Sequence, residues 1–399
     1  MKLYTLFKIV LLILVLTLTA SVIRFRLYDP IVMSSIADTA RSYYYDRKDD
    51  AGLVVPGNKS DTSQYVPAYK DLPPNYLHTG HMLIYYSGEK RPLDSFCRES
   101  FRYTRYLKLS DYKKRLRETN TIPGDTIPAN VFITIPGTVG NFIYDLNPDR
   151  ERKLVDARTL YYTGKSICSS SVLAQIPEFK NAGINAVVFD VKDVPGHISY
   201  LSSVPEVVKL DSHRYRHTDD MRKIVRYLKS HDIYTIARIA CFRDAYVTAK
   251  RPEWAIRSSR TGGVWNQGTG EVWLDPTNRH VQDYTIAVAL EAARLGVDEI
   301  QFDYIRFPTD GDQSDAVFAY SYGRISREET ITRFLKRAYA ELKKEKVFVS
   351  IDIFGVVAWG YRGDISRTGQ DISMLAPYCD IISPMLYHSH FNDNFHGYA

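Results

Sequence analysis

The feature that most constrains the fold is an alternation of short apolar runs with helical patterns in the C-terminal half of the chain. Six runs have strand length and are rich in β-branched or aromatic residues. They are residues 160–162, 183–189, 234–237, 296–302, 347–351 and 380–386. The segments between them carry apolar residues at helical spacing, and Asn278 and Ser326 are typical helix caps. Such βα repetition requires right-handed parallel crossovers, so the sequence predicts a parallel sheet covered by helices.

Polar residues gather at the ends of several of these runs rather than at a single crevice. No glycine-rich phosphate-binding turn follows the first run, which disfavours a doubly wound nucleotide-binding sheet. The pattern favours a (β/α)8 barrel, whose functional residues stand at the carboxyl ends of several strands. Because six strands are visible, we expect a TIM-barrel-like α/β domain over residues 155–399 that is incomplete at its C-terminal side.

Two further segments occupy the N-terminal part of the chain. Residues 1–26 contain an uninterrupted apolar run flanked by basic residues, which predicts either a cleaved signal peptide or a signal anchor. In both cases we expect the rest of the chain to be exported, either secreted or periplasmic, or anchored and facing outward. Contact with the membrane is expected only if the segment is uncleaved. Residues 27–78 are mostly small, polar or charged and predict a linker.

Residues 79–137 predict a small α+β unit. Its elements are a strand over 82–86, helices over 93–106 and 107–118, and a closing strand over 131–135. This βααβ order, together with residues 124–136, resembles the end of a LysM module, a domain that binds glycans containing N-acetylglucosamine. The resemblance implies a glycan-binding module, and an unrelated cap or spacer is the alternative.

Composition and motifs exclude several classes of function. The chain has 52 basic and 46 acidic residues, a net charge of +6, and no long basic run, so a nucleic-acid partner is not expected. Its four cysteines lack metal-type spacing, and His213 and His217 fit no metal-binding motif. No G-x-S-x-G turn is present for serine hydrolysis. We therefore expect no metal and no cofactor, which disfavours a metal-dependent deacetylase.

Two aspartates are the candidate catalytic residues. Asp303 ends the fourth run, and Asp352 ends the fifth. Neighbouring strands lie about 4.8 Å apart, so these carboxylates can face one pocket. One carboxylate can attack or stabilise the anomeric carbon of a sugar, while the other, kept protonated by burial, donates a proton to the leaving oxygen. Alternatively, Asp303 pairs with Arg306 to hold the barrel rim, and Asp352 caps a helix.

Other polar and aromatic residues near the strand ends are candidate substrate-binding groups. They are Asp190, Lys192, Arg238, Trp273, Tyr304, Arg306 and Tyr387. Asp190 and Lys192 can bind sugar hydroxyls, or Lys192 can merely neutralise its acidic neighbours. Arg238 lies within a strand and must be paired, with Asp190 as the predicted partner. Trp273 lies in a long insert and can stack on a pyranose ring, unless it plugs the local core.

Three segments together resemble the bacterial putative glycosyl hydrolase domain family. They are residues 185–193, 273–277 and 299–308, the last of which contains the sequence DYIRFP. The resemblance implies a TIM-barrel, hydrolase-like domain on an exported protein that acts on an envelope or extracellular polysaccharide. We expect a glycoside hydrolase with a polysaccharide as its partner. A non-catalytic glycan-binding or envelope scaffolding protein is the alternative.

Overall fold

The computed structural model describes residues 73–79, 82–138, 152–268, 270–319 and 325–387. The predicted signal segment, residues 1–26, and most of the predicted linker lie outside these residues. Among the residues described, no helix combines the length and the hydropathy of a membrane-spanning segment. The contacts divide the described chain into two compact units. One contains the residues up to Leu93 together with Leu116–Thr138, and the other contains Asp94–Arg115 and the described residues after Thr138.

The first unit is built on a three-stranded antiparallel sheet. In chain order, its strands and those of a separate short hairpin are β1 (Tyr76–Thr79), β2 (Met82–Ser87), β3 (Arg91–Pro92), β4 (Thr126–Ile127) and β5 (Val131–Ile135). The sheet order is β1-β2-β5, and β3 pairs with β4. The predicted linker therefore extends too far, because β1 begins at Tyr76. That side chain is buried, and its ring centre lies 5.0 Å from that of Tyr85.

Two helices separate β3 from β4 in the chain, α1 (Leu93–Ser100) and α2 (Leu109–Asn120), with a 3-10 turn at Phe101–Tyr103 between them. Together with β2 and β5 they give the predicted βααβ order. Residues 94–115, which the sequence assigned to the small unit, cluster with the second unit. Buried Lys223 contributes to this clustering, since it donates to the carbonyl oxygens of Phe101, at 2.8 Å, and Tyr106, at 2.6 Å.

The second unit contains the predicted βα repeats. Its strands are β6 (Thr159–Tyr162), β7 (Ala186–Lys192), β8 (Tyr234–Ala240), β9 (Arg257–Ser258), β10 (Glu299–Asp303), β11 (Ala316–Val317), β12 (Phe348–Phe354) and β13 (Ile381–Met385). Its helices are α3 (Gly164–Ile167), α4 (Ser170–Asn181), α5 (Pro205–Leu210), α6 (Arg222–Ser230), α7 (Ala245–Lys250), α8 (Arg279–Arg294), α9 (Arg327–Lys344), α10 (Arg362–Thr368) and α11 (Ile372–Leu375). Short 3-10 turns lie at Pro252–Trp254, Gly355–Trp359 and Ala376–Tyr378.

Six of these strands form one parallel sheet in the order β6-β7-β8-β10-β12-β13, which is also their order along the chain. A doubly wound sheet would reverse direction in its middle, whereas a barrel adds each new strand beside the previous one. The sheet curls into part of a (β/α)8 barrel, and the predicted fold class is confirmed. The short strands β9 and β11 form a separate antiparallel pair.

The two faces of the sheet differ in polarity. On β10, Ile300 and Phe302 point toward the helices and belong to the main hydrophobic core. The alternate residues Glu299, Gln301 and Asp303 share the opposite, inner face of the curled sheet. Near the amino ends of the strands this inner face carries a small apolar cluster that includes Val188 and Tyr234, and the Tyr234 hydroxyl donates to the buried carboxyl of Glu299. Polar residues become more frequent toward the carboxyl ends.

Three strands end three residues later than the sequence predicted. β7 runs on to Lys192, β8 to Ala240 and β12 to Phe354, so Asp190 and Asp352 lie inside strands rather than after them. Their side chains form hydrogen bonds with residues on neighbouring strands, and the backbone pairing of the sheet continues past them.

Two predicted helix starts are confirmed, because Ser326 accepts a hydrogen bond from the Glu329 N–H and Asn278 accepts one from the His280 N–H.

Candidate active site

Four polar residues form one row across the inner face of the sheet. Asp190 on β7 is the register partner of Arg238 on β8, which in turn is level with Gln301 on β10. Gln301 is level with Ser350 on β12. Register partners in neighbouring parallel strands point to the same face, so these side chains line the hollow of the curled sheet.

The two candidate catalytic aspartates form the next row toward the carboxyl ends of the strands. Asp303 follows Phe302, whose register partner is Ile351, and Asp352 follows Ile351. The sequence therefore predicted correctly that the two residues lie on adjacent strands. Both are largely buried, and they lie close enough for the negative charge of Asp303 to act on the carboxyl of Asp352.

Arg238 joins two of these carboxylates. Its Nη1 donates to Asp190 Oδ1 at 2.6 Å, while its Nε and Nη2 donate to Asp303 Oδ2 at 3.0 and 2.6 Å. Burial opposes the charge of the guanidinium, but the two carboxylates outweigh burial and raise the pKa of Arg238. The expectation that Asp190 pairs with Arg238 is confirmed. Asp303 pairs with Arg238 as well, so the alternative pairing with Arg306 is wrong.

Asp190 has a second partner, which the sequence did not identify. The hydroxyl of Tyr161, on β6, donates to Asp190 Oδ2 at 2.6 Å, and the Tyr161 ring lies 5.5 Å from the Arg238 guanidinium. Burial raises the pKa of Asp190, although Arg238 and Tyr161 both act against this rise. The available signal for Tyr161 was its position near the carboxyl end of the first strand, where polar groups of a barrel converge.

The backbone after Asp303 has an unusual conformation. Tyr304 has φ of 51°, in the left-handed region that is costly for a residue with a side chain. In this conformation its N–H donates to Asp303 Oδ1 at 2.6 Å. The Tyr304 hydroxyl accepts a hydrogen bond from Arg243 Nη1 at 3.1 Å, which helps to hold the residue. Strain of this kind clusters at functional sites, where the surrounding structure maintains it.

Asp352 is the carboxyl most strongly shifted toward its neutral form. Burial raises its pKa well above the ordinary range, the charge of Asp303 raises it further, and Arg238 counteracts both effects only in part. Gln301 Nε2 donates to Asp352 Oδ1 at 2.8 Å. Asp352 lies inside β12 and does not cap a helix, so that alternative is wrong. The site thus combines a carboxylate paired with a cation and a buried carboxyl whose raised pKa favours its protonated form.

The raised pKa of Asp352 makes the stability of the fold depend on pH. A carboxyl whose pKa is higher in the folded than in the unfolded chain adds stability at low pH and loses that contribution as the pH rises through the folded value. We expect Asp352→Asn to remove this loss, so the variant gains stability relative to wild type as the pH rises above about 4, the ordinary pKa of an unfolded aspartate. Urea unfolding at three pH values measures the difference, with the exposed Asp156→Asn as control. Parallel curves for wild type and Asp352→Asn would contradict the assignment.

Two predicted substrate-binding residues have structural contacts instead. Lys192 is 0% exposed; its Nζ lies 2.7 Å from Asp244 Oδ2 and donates to the carbonyl oxygen of Ala240 at 2.7 Å. It faces a buried partner rather than the hollow, so it cannot bind a sugar from where it lies. Trp273 is 1% exposed, and its Nε1–H donates to Gln267 Oε1 at 3.2 Å. Trp273 therefore plugs the local core, as the alternative interpretation predicted.

The remaining predicted residues lie beyond the strand ends. Arg306 is three residues past Asp303 and is 7% exposed, with its guanidinium among aromatic rings. Tyr387 follows β13 by two residues and is 61% exposed. Gln370 is a positioning residue that the sequence did not suggest. Its Nε2 donates to the carbonyl oxygens of Asp352, at 3.1 Å, and Ile305, at 3.2 Å, so it links β12 to the chain that follows β10.

Within the described ranges, no group of three or more His, Cys, Asp or Glu side chains has an arrangement that could hold a metal ion. The chemistry that the described residues can perform is that of two unlike carboxyl groups. One, Asp303, is held beside the Arg238 guanidinium, and the other, Asp352, has a raised pKa that favours its protonated form. Such a pair suits protonation of a leaving oxygen together with stabilisation of a developing cation.

Comparison with known proteins adds a family match. Residues 159–399, more than half of the chain, match the family described as "Putative glycosyl hydrolase domain". No curated protein is significantly similar to the chain.

Several solved structures are similar in part. A hypothetical protein from Ruminiclostridium thermocellum ATCC 27405 is 34% identical, with 48% of this chain and 96% of that chain covered and a TM-score of 0.44. An alpha-amylase from Lactobacillus plantarum is 14% identical, with 56% and 51% covered and a TM-score of 0.38. The chitobiase of Flavobacterium johnsoniae is 16% identical, with 49% and 32% covered and a TM-score of 0.35. This chain thus spans about half of the amylase and about a third of the chitobiase.

Proposed function

Because this chain belongs to the putative glycosyl hydrolase domain family, we propose that it is an exported glycoside hydrolase that cleaves a cell-envelope or extracellular polysaccharide. The observation that carries the proposal is the placement of Asp303 and Asp352 on adjacent strands, in one row of the inner face, with unlike electrostatic surroundings. Glycosidases need such a difference, because one carboxyl group must give a proton while the other remains charged.

The proposed roles follow from the contacts of each carboxyl group. Asp352 is the general acid: its buried carboxyl donates a proton to the glycosidic oxygen as the bond to the anomeric carbon breaks. Asp303 is the nucleophile or charge stabiliser, and its carboxylate faces the positive charge that develops on the sugar ring. Arg238 is a positioning residue that holds Asp303 and Asp190 on either side of its guanidinium. Asp190, Tyr304 and Tyr387 are the proposed substrate contacts at the rim.

The role of Asp352 is tested by varying the leaving group. We expect Asp352→Asn to lower the hydrolysis rate of polysaccharide fragments by about 10²- to 10³-fold, because their leaving oxygen needs a proton. Dinitrophenyl glycosides leave without protonation, so the variant should retain most of its rate on them. The measurement is kcat on both substrate types over a panel of sugars, with Asp156→Asn as the matched control. Equal losses on both types would contradict the role of general acid.

A second candidate function is glycan binding without hydrolysis. The observation that favours it is the extensive hydrogen bonding of Asp303 within the protein, since Oδ1 accepts the Tyr304 N–H and Oδ2 accepts two bonds from Arg238. The two functions differ in a simple assay of purified protein with fractionated envelope glycans. New reducing ends that disappear in Asp303→Asn support hydrolysis. Glycan affinity without reducing ends, unchanged in Asp303→Asn, supports binding alone.

Export and a second glycan contact belong to the same proposal. The support for export is the apolar run in residues 1–26, which either directs secretion or remains as a membrane anchor. The support for a LysM-like glycan contact is the βααβ order from β2 to β5. A phosphatase fused after residue 26 should be active outside the cytoplasm. Fractionation of the same cells then separates the released protein from the anchored one.

A further inference from the structure

Arg306 is a buried cation without an acidic partner. It is 7% exposed, and Nη1 donates to the carbonyl oxygen of Phe307 at 3.0 Å. In the part of the chain that the structure describes, no carboxylate forms an ion pair with Arg306, and no acceptor bonds to Nε or Nη2. Among the described residues, the fully buried side-chain nitrogen and oxygen atoms without a hydrogen-bond partner all belong to residues other than Arg306. The unbonded N–H groups of Arg306 are therefore accessible to solvent. A guanidinium carries five N–H donors, and most of those on Arg306 are unused.

Aromatic rings hold the cation in place. The guanidinium carbon of Arg306 lies 4.2 Å from the ring centre of Phe354, 5.0 Å from Trp273 and 5.7 Å from Tyr304. Aromatic faces attract a cation but do not cancel its charge, as a carboxylate would. Burial lowers the pKa of Arg306 to about 10, so the side chain remains protonated at neutral pH. Asp303 and Asp310 act on this charge from a distance, but among the described residues no carboxylate contacts the guanidinium within its ring cage.

A neighbouring arginine shows the contrast. The guanidinium carbon of Arg243 lies 5.3 Å from the ring centre of Tyr304, one of the rings that also contact Arg306. Nη2 of Arg243, however, forms an ion pair with Glu271. Its charge is thus balanced within the protein. An unpaired buried cation costs several kcal/mol unless a partner arrives from outside. Arg306 is the cation at this rim that a ligand can neutralise.

The position of Arg306 connects it with the candidate active site. It follows Asp303 by three residues, and Phe354, against which it packs most closely, follows Asp352 by two. We propose that Arg306 binds an anionic substituent of the glycan, the carboxylate of a uronic acid or a phosphate ester, on a sugar next to the cleaved bond. The planar fork of a guanidinium matches both groups in a bidentate way. This inference rests on the proposed function and names its substrate class.

The test measures affinity rather than turnover. The full chain carrying Asp303→Asn is titrated calorimetrically with polygalacturonate, alginate and hyaluronan, each beside its carboxyl-reduced form, and with poly(glycerol phosphate). We expect at least one uronan to bind tenfold or more tightly than its carboxyl-reduced form, or poly(glycerol phosphate) to bind tenfold or more tightly than every carboxyl-reduced polymer. Preference for the uronans or for the phosphate polymer identifies the anion. Equal affinity for charged and neutral forms throughout would overturn the inference.

Variants connect that preference with Arg306. Arg306→Met, whose apolar side chain fits among the rings, should lose the tenfold preference and keep the affinity for neutral polymer, while Arg306→Lys should retain part of it. Arg327→Met is the matched control. Arg327 also stacks on two rings, those of Phe307 and Phe318, but its N–H groups bond to the Arg367 carbonyl and to Gln313. A preference that survives in Arg306→Met would overturn the inference.

The outcomes separate this inference from the proposed function. If the wild-type protein hydrolyses glycans but charged and neutral forms bind with equal affinity, the inference about Arg306 fails and the hydrolase proposal stands. If no glycan is hydrolysed but the charge preference depends on Arg306, the hydrolase proposal fails and the anion site stands.

Discussion

Asp303→Asn is expected to lower kcat/KM for glycan hydrolysis by at least about 10³-fold. The amide oxygen can still accept the Tyr304 N–H, and Arg238 keeps its ion pair with Asp190. The amide nitrogen cannot accept the two Arg238 N–H bonds that Oδ2 accepts, so we also expect some loss of fold stability. What the variant lacks is the negative charge that faces the anomeric carbon in the transition state. Reducing-end release from the best glycan of the panel measures the loss.

A matched control is available directly after β7, two strands from β10 in the sheet. Asp193 directly follows β7, and its Oδ1 accepts the backbone N–H groups of Gly196, at 2.9 Å, and His197, at 2.7 Å. An asparagine oxygen can accept both bonds, so Asp193→Asn should keep kcat/KM within about threefold of wild type. Wild-type activity in Asp303→Asn would remove Asp303 from the mechanism. A similar loss in both variants would indicate a general effect on the fold.

Among the variants proposed for this protein, Lys192→Met is expected to lower the free energy of unfolding the most, by about 3–5 kcal/mol. Lys192 and Asp244 are both fully buried, with Nζ and Oδ2 2.7 Å apart. Removal of the cation leaves a buried carboxylate whose pKa burial already raises. The loss should be smaller at pH 4 than at pH 7, because protonation of Asp244 relieves the unpaired charge and this relief disappears as the pH rises. Urea unfolding at both pH values tests the expectation.

The double variant separates the ion pair from simple packing. Asp244→Asn retains an oxygen that can accept the Val247 N–H, which Asp244 Oδ1 accepts at 2.7 Å at the start of α7. Adding it to Lys192→Met should restore more than half of the lost stability, since no buried charge is then unpaired. If the double variant is as unstable as the sum of the two single variants, the pair contributes through packing and not through charge.

Much of the barrel could be predicted because its signals are local. A strand of four to seven residues shows its apolar content in the run itself, and a cap such as Ser326 lies three residues from the N–H that it binds. Barrel topology then follows from the order of strands and helices. The same local reasoning placed Asp303 and Asp352 on adjacent strands, since each ends a recognisable run.

The errors arose where partners are distant in the sequence. The sequence predicted that Lys192 lies at the rim between two aspartates. Its partner Asp244 is distant in the sequence, and the two side chains form a buried ion pair. Trp273, in a loop by its sequence, is buried beneath Arg306 and Tyr304. The sequence also predicted strand ends that come too early. A polar residue that is hydrogen-bonded within a strand resembles a loop residue when its partner is unknown.

The sequence by itself determined the βα order, the parallel sheet and the two aspartates at its carboxyl edge, because periodicity and capping depend on residues close together in the chain. Only the tertiary structure decided which charges are satisfied: Asp303 pairs with Arg238, 65 residues away, rather than with nearby Arg306. Strand register and burial fix such pairings, and both depend on the packing of the whole unit. That packing raises the pKa of Asp352 and, among the described residues, leaves Arg306 without an ion pair, the two conditions on which the proposed chemistry and its substrate class depend.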